Sequence, residues 1–243
     1  MKLKLVLFAA FLLAFSSVSF AQIAKVTPKK TVYTRTPKEG FEHKGTFTIN
    51  APKISGLSAA LNKKAETAIS FERVFDLNIK EEKEEIFWLE EADYEIEYNK
   101  HGILAAALTI SGSGAYPSIY TKHVVVNLKT GNAVKAADVF VRLPELARFA
   151  DKSLQARIKK EIAERRRESA EDAATMRERL AGAKFKRKNL EFFSVSDKGV
   201  SFYFDYGFPH VILALEPDNK FFFTFAQLKP YIKPGGLLAQ FVR

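Results

Sequence analysis

The chain has 243 residues, of which 47% are hydrophobic and 13% aromatic, so it can bury a sizeable core and is not a disordered protein. It contains no cysteine, which excludes both a disulfide framework and a lipid-modified cysteine. The formal net charge of +10 fits good solubility or contact with anionic envelope polymers or lipid headgroups.

The N-terminus predicts export. Lys2 and Lys4 precede an apolar run from 5 to 15, and Ser19–Ala21 offers small residues at the positions that a signal peptidase reads. We therefore predict a signal peptide at 1–21, with cleavage before Gln22; an uncleaved anchor is the alternative. The mature protein is expected to be periplasmic or secreted, with no membrane span after cleavage and no nucleic-acid partner.

The segment after the signal peptide predicts an extended lead-in over 22–45, followed by an N-terminal α+β unit over 46–132. Apolar residues at helical spacing predict one helix from Leu57 to Phe75. The next stretch, Lys80–Glu97, contains nine acidic residues, and its first part is interpreted as a mobile loop. Alternating side chains then predict an antiparallel meander with strands at 94–98, 103–110 and 123–128.

A second α+β unit is predicted over 133–243, with a helical insertion over 143–182. The insertion is too long for one ordinary helix, so we expect a break between Arg167 and Asp172. Beyond it, the Asp197–Gly199 turn predicts a hairpin. Two further strands are predicted at 211–215 and 221–224, before a short terminal helix.

Several short motifs occur in an order that resembles a known family. They are Tyr94–Tyr98, Ile103–Ile110, Gly114–Pro117, Val126–Gly131, Ala137–Phe140, Phe202–Gly207 and Phe225–Tyr231. Together they resemble the extracytoplasmic domain pair of RsiV-type anti-sigma factors, which also precedes the catalytic domain of PdaC-type peptidoglycan deacetylases. The resemblance implies an α+β fold: antiparallel sheets with packed helices in two small units, the second carrying the long helical insertion.

The resemblance also implies a function. In RsiV-like proteins this region binds lysozyme, whereas the deacetylase catalytic domain is missing here. We therefore expect an exported, non-enzymatic binding or sensing module of the cell envelope, with a lysozyme-like protein, peptidoglycan or an anionic envelope polymer as partner. The positive net charge would oppose steering of a cationic lysozyme, unless the acidic residues over 81–97 form a local acidic face.

Two loops supply the candidate contacts. Where members of the family commonly have Gly-Gly-Ala-His-Pro, this chain has tyrosine at Tyr116, which removes a proton-transfer or metal role and leaves a ring suited to packing or to stacking on a sugar. Tyr116 and Pro117 form one candidate loop, and Tyr206, Phe208 and His210 form the other, because aromatic rings beside glycine or proline are suited to docking.

No catalytic signature emerges from the residue pattern. The histidines lie at 43, 101, 123 and 210, and none has the spacing of a helical zinc site, so neither a metal nor a cofactor is predicted. His123 is interpreted as a surface or cross-strand residue. Asp205 and His210 could form an acid–base pair, and the alternative is a turn closed by aromatic residues.

Two other functions remain open. An envelope polysaccharide hydrolase would need Asp205, His210 and a further carboxylate to converge, and a structural envelope protein would be held by charge. The basic residues of the insertion, including Arg165–Arg167, are interpreted as a solvated face, with binding of an anionic polymer as the alternative.

Overall fold

A computed structural model describes residues 23–242 of the protein. The predicted signal peptide, residues 1–21, lies outside this range. The described chain contains two β-sheets and seven α-helices and has the predicted α+β fold. Over the same range, no helix is both long and apolar enough to cross a membrane.

The first sheet has six strands in sequential order. They are β1 (Lys25–Thr34), β2 (Thr46–Ser55), β3 (Leu89–Lys100), β4 (Ile103–Ser113), β5 (Pro117–Asn127) and β6 (Asn132–Ala133). Neighbouring strands are antiparallel except β2 and β3, which pair in parallel through Thr48 and Ile49. The predicted meander is therefore preceded by a crossover, which the alternation of side chains does not reveal.

The segment predicted to be a lead-in belongs to this sheet. All ten residues of β1 pair with β2, and β1 is an edge strand of the sheet. Pro28 and Lys29 lie on this edge strand. Proline and lysine are typical of edge strands because they discourage pairing with another chain. This polar composition is also typical of an unpaired segment, which is why residues 22–45 were predicted to be an extended lead-in. The predicted boundary between residues 45 and 46 therefore separates two strands that pair with each other.

The crossover between β2 and β3 contains the helices α1 (Ala59–Ala68) and α2 (Phe71–Phe75). The prediction of one continuous helix is wrong because the chain leaves helical geometry at Ile69. A new cap then follows: the hydroxyl of Ser70 accepts a hydrogen bond from the Arg73 amide at 3.3 Å. Both helices pack on one face of the first sheet.

The acidic segment is ordered and not a mobile loop. It forms α3 (Ile79–Glu81) and one wide helical turn over Glu82–Ile86. The carboxylate of Glu82, which is 3% exposed, accepts hydrogen bonds from the amides of Trp88 and Leu89 and forms an ion pair with buried Arg35. These contacts fix the start of β3, five residues earlier than predicted.

The rest of the chain forms a second, three-stranded antiparallel sheet with helices. The elements are α4 (Ala136–Val139), α5 (Leu143–Glu168), α6 (Ala170–Leu180), β7 (Phe193–Val195), β8 (Gly199–Tyr203), β9 (Lys220–Thr224) and α7 (Phe225–Leu228). The predicted helix break is confirmed at Ser169, whose hydroxyl caps α6 by accepting from the Asp172 amide at 3.1 Å. The hairpin around Asp197–Gly199 is also confirmed.

One predicted strand is wrong. Residues His210–Leu215 form 3₁₀ turns instead of a strand. The apolar run from Val211 to Leu215 lacks the polar–apolar alternation of a half-buried strand, and such short runs do not distinguish helix from strand.

The second sheet packs across half of one face of the first sheet. Both faces of β4 are therefore buried: Leu104 and Leu108 face α1, whereas Ile103 and Ala105 contribute to the core shared with the second sheet. Strand β7 contacts β3, β4 and β5, and its Ser194 is buried. On the far side of the second sheet, α5 and α6 cover an aromatic layer formed by Phe185, Phe193, Phe202, Phe221 and Phe223.

Candidate functional site

The two predicted contact loops meet in the folded protein. Tyr116, in the turn between β4 and β5, stacks on His210, which begins the 3₁₀ segment of the second unit. The ring centroids are 5.0 Å apart and the planes are inclined by 19°. Tyr116 remains 58% exposed and His210 is also exposed, so this pair, here called the Tyr–His stack, presents an aromatic surface to solvent.

Not all of the predicted contact residues belong to this surface. Pro117 is exposed at the start of β5, directly beside Tyr116. Tyr206 and Phe208 are instead half-buried against the core, with the Tyr206 ring edge-on to Phe204 at 4.9 Å. The Tyr206 hydroxyl donates to the backbone carbonyl of Asp218 at 3.3 Å, and burial raises the pKa of this tyrosine. Tyr206 and Phe208 therefore anchor the loop that carries His210.

Asp205 and His210 make separate contacts. The Asp205 carboxylate accepts a hydrogen bond from the Gly207 amide at 2.8 Å and closes a tight turn, in which Gly207 has a φ of +69°. Across residues 23–242, no hydrogen bond or ion pair joins Asp205 to His210, and no three metal-ligating side chains form a cluster. The Asp205 carboxylate thus closes a turn and the His210 ring stacks on Tyr116, which is the arrangement of the alternative interpretation, a turn closed by aromatic residues.

A row of carboxylates lies on β3, which pairs with the hairpin whose turn carries Tyr116. The half of the first sheet that the second sheet leaves uncovered presents Glu91, Asp93 and Glu95, which are exposed and occupy alternate positions of β3, so they share one face. We call these three residues the acidic row. The parallel neighbour of the row contributes Asn50, whose amide donates to Asp93 at 2.7 Å.

The rest of this uncovered area, here called the open face, comes from β4 and β5. Thr109 pairs with Asp93 across β3–β4 and with Thr121 across β4–β5, and the two threonine hydroxyls are 2.9 Å apart. Ile119 on β5 is 71% exposed. The open face therefore combines carboxylates, hydroxyls and an isolated apolar side chain, and it ends at the strand that begins beside Tyr116.

A polar cluster is enclosed where the open face meets the second sheet. The Glu97 carboxylate accepts hydrogen bonds from His123 Nδ1 at 3.0 Å and from the Tyr203 hydroxyl at 3.3 Å. The rings of His123 and Tyr203 stack with centroids 3.5 Å apart and planes inclined by 6°. Burial alone would raise the pKa of Glu97, but hydrogen bonding to His123, Ser194 and Tyr203 leaves that pKa below its usual value.

Sequence reasoning missed this cluster because Tyr203, which encloses Glu97 and His123, belongs to the second sheet. The pairing of β3 with β4 shifts between Ile96 and Tyr98, so that the bulge directs Glu97 and Tyr98 toward the same side. Strict alternation correctly places Glu97 on the same face as the acidic row, but it does not reveal that the second sheet covers this end of the face. His123 was predicted to be a cross-strand or surface residue. That prediction named no contact partner for His123, because Glu97 and Tyr203 are both distant from it in sequence.

A groove of about 270 Å3 lies beside His123, between α2, β5 and β7. Its polar side chains already make structural contacts: Lys122 donates to the Val74 carbonyl at 2.9 Å, and Glu191 accepts from the Ala136 amide at 3.1 Å. The first contact joins the first sheet to α2, and the second joins α4 to the segment before β7. Lys122 and Glu191 are therefore already hydrogen-bonded to the protein backbone.

Comparison with known proteins identifies similar folds. A DUF3298 family protein (domain of unknown function) from Bacteroides fragilis NCTC 9343 has a TM-score of 0.50 at 13% identity, covering 89% of this chain and 97% of that one. A DUF3298 family protein from Pseudomonas aeruginosa PAO1 also has a TM-score of 0.50 at 13% identity, covering 87% of this chain and 94% of that one. No protein-family model and no curated protein sequence matches the chain. At this identity, the similarity concerns the fold alone.

Proposed function

We propose that this protein is an exported, non-enzymatic binding module of the cell envelope, of the RsiV-like kind, and that it binds a cationic protein of the lysozyme type. The observation that carries this proposal is the exposed Tyr–His stack at the turn of the β4–β5 hairpin, whose strand β4 pairs with the strand of the acidic row. It joins two loops that are distant in sequence, so the binding surface would exist only in the folded protein.

Charge complementarity supports a cationic partner. Although the whole chain carries a formal charge of +10, Glu91 and Glu95 make no ion pair within residues 23–242. Asp93 accepts hydrogen bonds from two neutral donors, the side-chain amide of Asn50 and the backbone amide of Tyr94. A local row of free carboxylates can orient a cationic protein even where the net charge slows its approach.

The aromatic stack would supply the apolar part of the contact. Tyrosine is enriched at binding hot spots because its ring covers a large area while its hydroxyl stays hydrated. Stacking on His210 restrains the Tyr116 ring before a partner arrives, which reduces the conformational entropy lost on binding. The half-buried Tyr206 and Phe208 pack against the core and would fix the position of the loop that carries His210.

Export and the family resemblance support the proposed setting. The N-terminal 21 residues have the pattern of a signal peptide, and the motifs from Tyr94 to Tyr231 resemble the RsiV-type domain pair. The hydrolase alternative gains no support from the contacts of Asp205 and His210, which engage Gly207 and Tyr116, respectively.

The proposal is tested by calorimetric titration of residues 22–243 with a cationic animal lysozyme at low and physiological ionic strength. Tyr116→Ala is expected to weaken binding by about tenfold or more. Tyr120→Ala is the matched control, because Tyr120 is 55% exposed on the same hairpin but packs beside Trp88 on the opposite face. It is expected to change the affinity by no more than about twofold.

A second pair of variants tests the acidic row. Glu91→Gln with Glu95→Gln should weaken binding and reduce its salt dependence, whereas Glu171→Gln with Glu178→Gln removes the same charge from α6 and should not. Absence of saturable lysozyme binding, or equal losses in both pairs, would refute the proposed partner. Binding to sedimented peptidoglycan that depends on Tyr116, without lysozyme binding, would instead identify a glycan-binding module.

A further inference from the structure

A second charged feature lies in the helical insertion, away from the open face. Helix α6 folds back along α5, as shown by the Gln155 amide donating to the Ala183 carbonyl at 2.8 Å. Between the C-terminal part of α5 and the last turns of α6 is a groove of about 500 Å3. Its lining residues, here called the basic groove, are Lys159, Ile162, Ala163, Arg166, Arg167 and Arg177.

The groove follows from the packing of the two helices. Ile158 of α5 and Met176 of α6 are buried in the shared core, and one turn later the α5 face bears the half-buried Ile162. The neighbouring side chain is the small Ala163, which leaves a depression on an otherwise long-chain surface. The stems of the surrounding arginine and lysine side chains can rest along this apolar floor while their charged ends reach its rim.

The four cations of the basic groove have no carboxylate partner. Within residues 23–242, none of them forms an ion pair. Two nearby acids are already engaged by other cations: Glu164 lies 3.7 Å from Lys160, and Glu168 lies 3.0 Å from Arg165. The negative end of the α5 dipole offsets some of the repulsion at Arg166 and Arg167, but it does not satisfy their donors.

We propose that the basic groove binds a ligand that carries two neighbouring phosphate groups. A planar guanidinium donates two parallel hydrogen bonds to a phosphate, and three of the four cations are arginines. A single phosphate monoester carries a charge of about −1.5 to −2 at neutral pH, which would balance about half of the four positive charges. Two phosphate groups together would balance the four positive charges of the basic groove. Two groups also suit a groove whose cations come from two helices, α5 and α6.

This site is independent of the proposed lysozyme-type partner. The basic groove belongs to α5 and α6, which cover the far side of the second sheet, whereas the acidic row lies on the first sheet. The charges of the two surfaces are opposite, so one ligand chemistry does not explain both. Failure of lysozyme binding would leave the phosphate site unaffected.

The first test is a calorimetric titration of residues 22–243 with inorganic pyrophosphate and with orthophosphate at physiological ionic strength. Pyrophosphate is expected to bind more tightly, because its two phosphate groups engage more guanidinium donors. Arg166→Gln with Arg177→Gln should weaken pyrophosphate binding by about tenfold or more. Thermal unfolding of this variant should match that of the wild type, since both side chains are exposed.

The matched control is Arg187→Gln with Lys188→Gln, which removes the same charge from exposed positions outside the basic groove. It should change pyrophosphate affinity by no more than about twofold. Equal losses in the two double variants would mean general charge attraction and would overturn the proposal. No pyrophosphate binding by the wild type, or affinity no higher than for orthophosphate, would overturn it as well.

Vesicle flotation distinguishes a lipid from a soluble source of the phosphates. Vesicles containing cardiolipin, with two phosphates, are compared with phosphatidylglycerol vesicles of equal charge. Preferential flotation with cardiolipin that is lost in Arg166→Gln with Arg177→Gln, and is competed by pyrophosphate, supports a membrane source. Pyrophosphate binding without flotation supports a soluble diphosphate ligand.

Discussion

Replacing Arg35 by methionine is expected to lower the free energy of unfolding by about 3–5 kcal/mol. Arg35 is 4% exposed, and its guanidinium donates to the backbone carbonyls of Glu82, Lys44 and Thr46 at 2.9–3.1 Å. It also bonds the Leu89 carbonyl and lies 3.5 Å from the Glu82 carboxylate. Methionine keeps much of the side-chain volume but removes every one of these donors.

The magnitude follows from what remains behind in the Arg35→Met variant. The Glu82 carboxylate is buried and would lose its cation, and breaking a buried ion pair by removing one partner costs about 3–5 kcal/mol. The amides of Trp88 and Leu89 still donate to Glu82, so the loss should not greatly exceed that range. For a chain of this size, the melting temperature should fall by roughly 6–20 °C.

Urea denaturation followed by circular dichroism measures this loss, and Lys53→Met provides the control. Lys53 forms an ion pair with Glu66 at the shorter distance of 2.8 Å, but it is 58% exposed, so its loss should cost less than about 1 kcal/mol. Replacing Arg35 and Glu82 together by methionine should restore part of the stability, because no uncompensated charge remains. If Arg35→Met were no more destabilising than Lys53→Met, the assignment of Arg35 as the buried anchor of the acidic segment would be wrong.

Three further substitutions test other parts of the fold. Glu97→Gln should cost about 1–3 kcal/mol at neutral pH. Because the pKa of Glu97 is lowered from 4.5 in the folded state, this carboxylate stabilises the protein above about pH 4.5, and the difference from the variant should vanish in urea titrations as the pH falls through the folded-state pKa. Gly199→Ala places a Cβ 2.1 Å from the Phe223 carbonyl oxygen and should cost about 3 kcal/mol or more, whereas Gly182→Ala meets nothing within 4 Å and should be neutral in thermal unfolding. Ser169→Ala removes the cap of α6 and should lower stability by about 1 kcal/mol in the same assay, and Ser169→Asp should retain it.

Local sequence patterns predicted the elements whose signals are local. The turn at Asp197–Gly199 and the strands of the meander follow from alternation and turn residues, and the helix break follows from the length of the predicted insertion. Where the pattern was ambiguous, the prediction failed. The segment from Val211 to Leu215 is apolar at every position, and the polar β1 resembles a linker until its pairing with β2 is known.

The candidate site shows the same limit. Tyr116 and His210 were each selected as loop residues, but their stacking depends on how the turn between β4 and β5 meets the second unit. Tyr206 and Phe208 carry the same aromatic signal and lie half-buried, because the signal reports the residue type and not its exposure. The basic groove needs Arg177 from α6 to complete the cations of α5, and a run of basic residues in one helix gives no indication of this.

The amino-acid sequence by itself determined the α+β class, the hairpin of the second sheet and the broken helix, because hydrophobic periodicity, capping and turn formation act between residues a few positions apart. Only the tertiary structure decided that Glu82 is buried with Arg35, that Glu97 is enclosed with His123, and that Glu91 and Glu95 stay free on the open face. All four are glutamates of one acidic segment, with the same intrinsic chemistry. Their different environments arise from packing against residues that are distant in sequence, and such contacts leave no periodic trace in the chain.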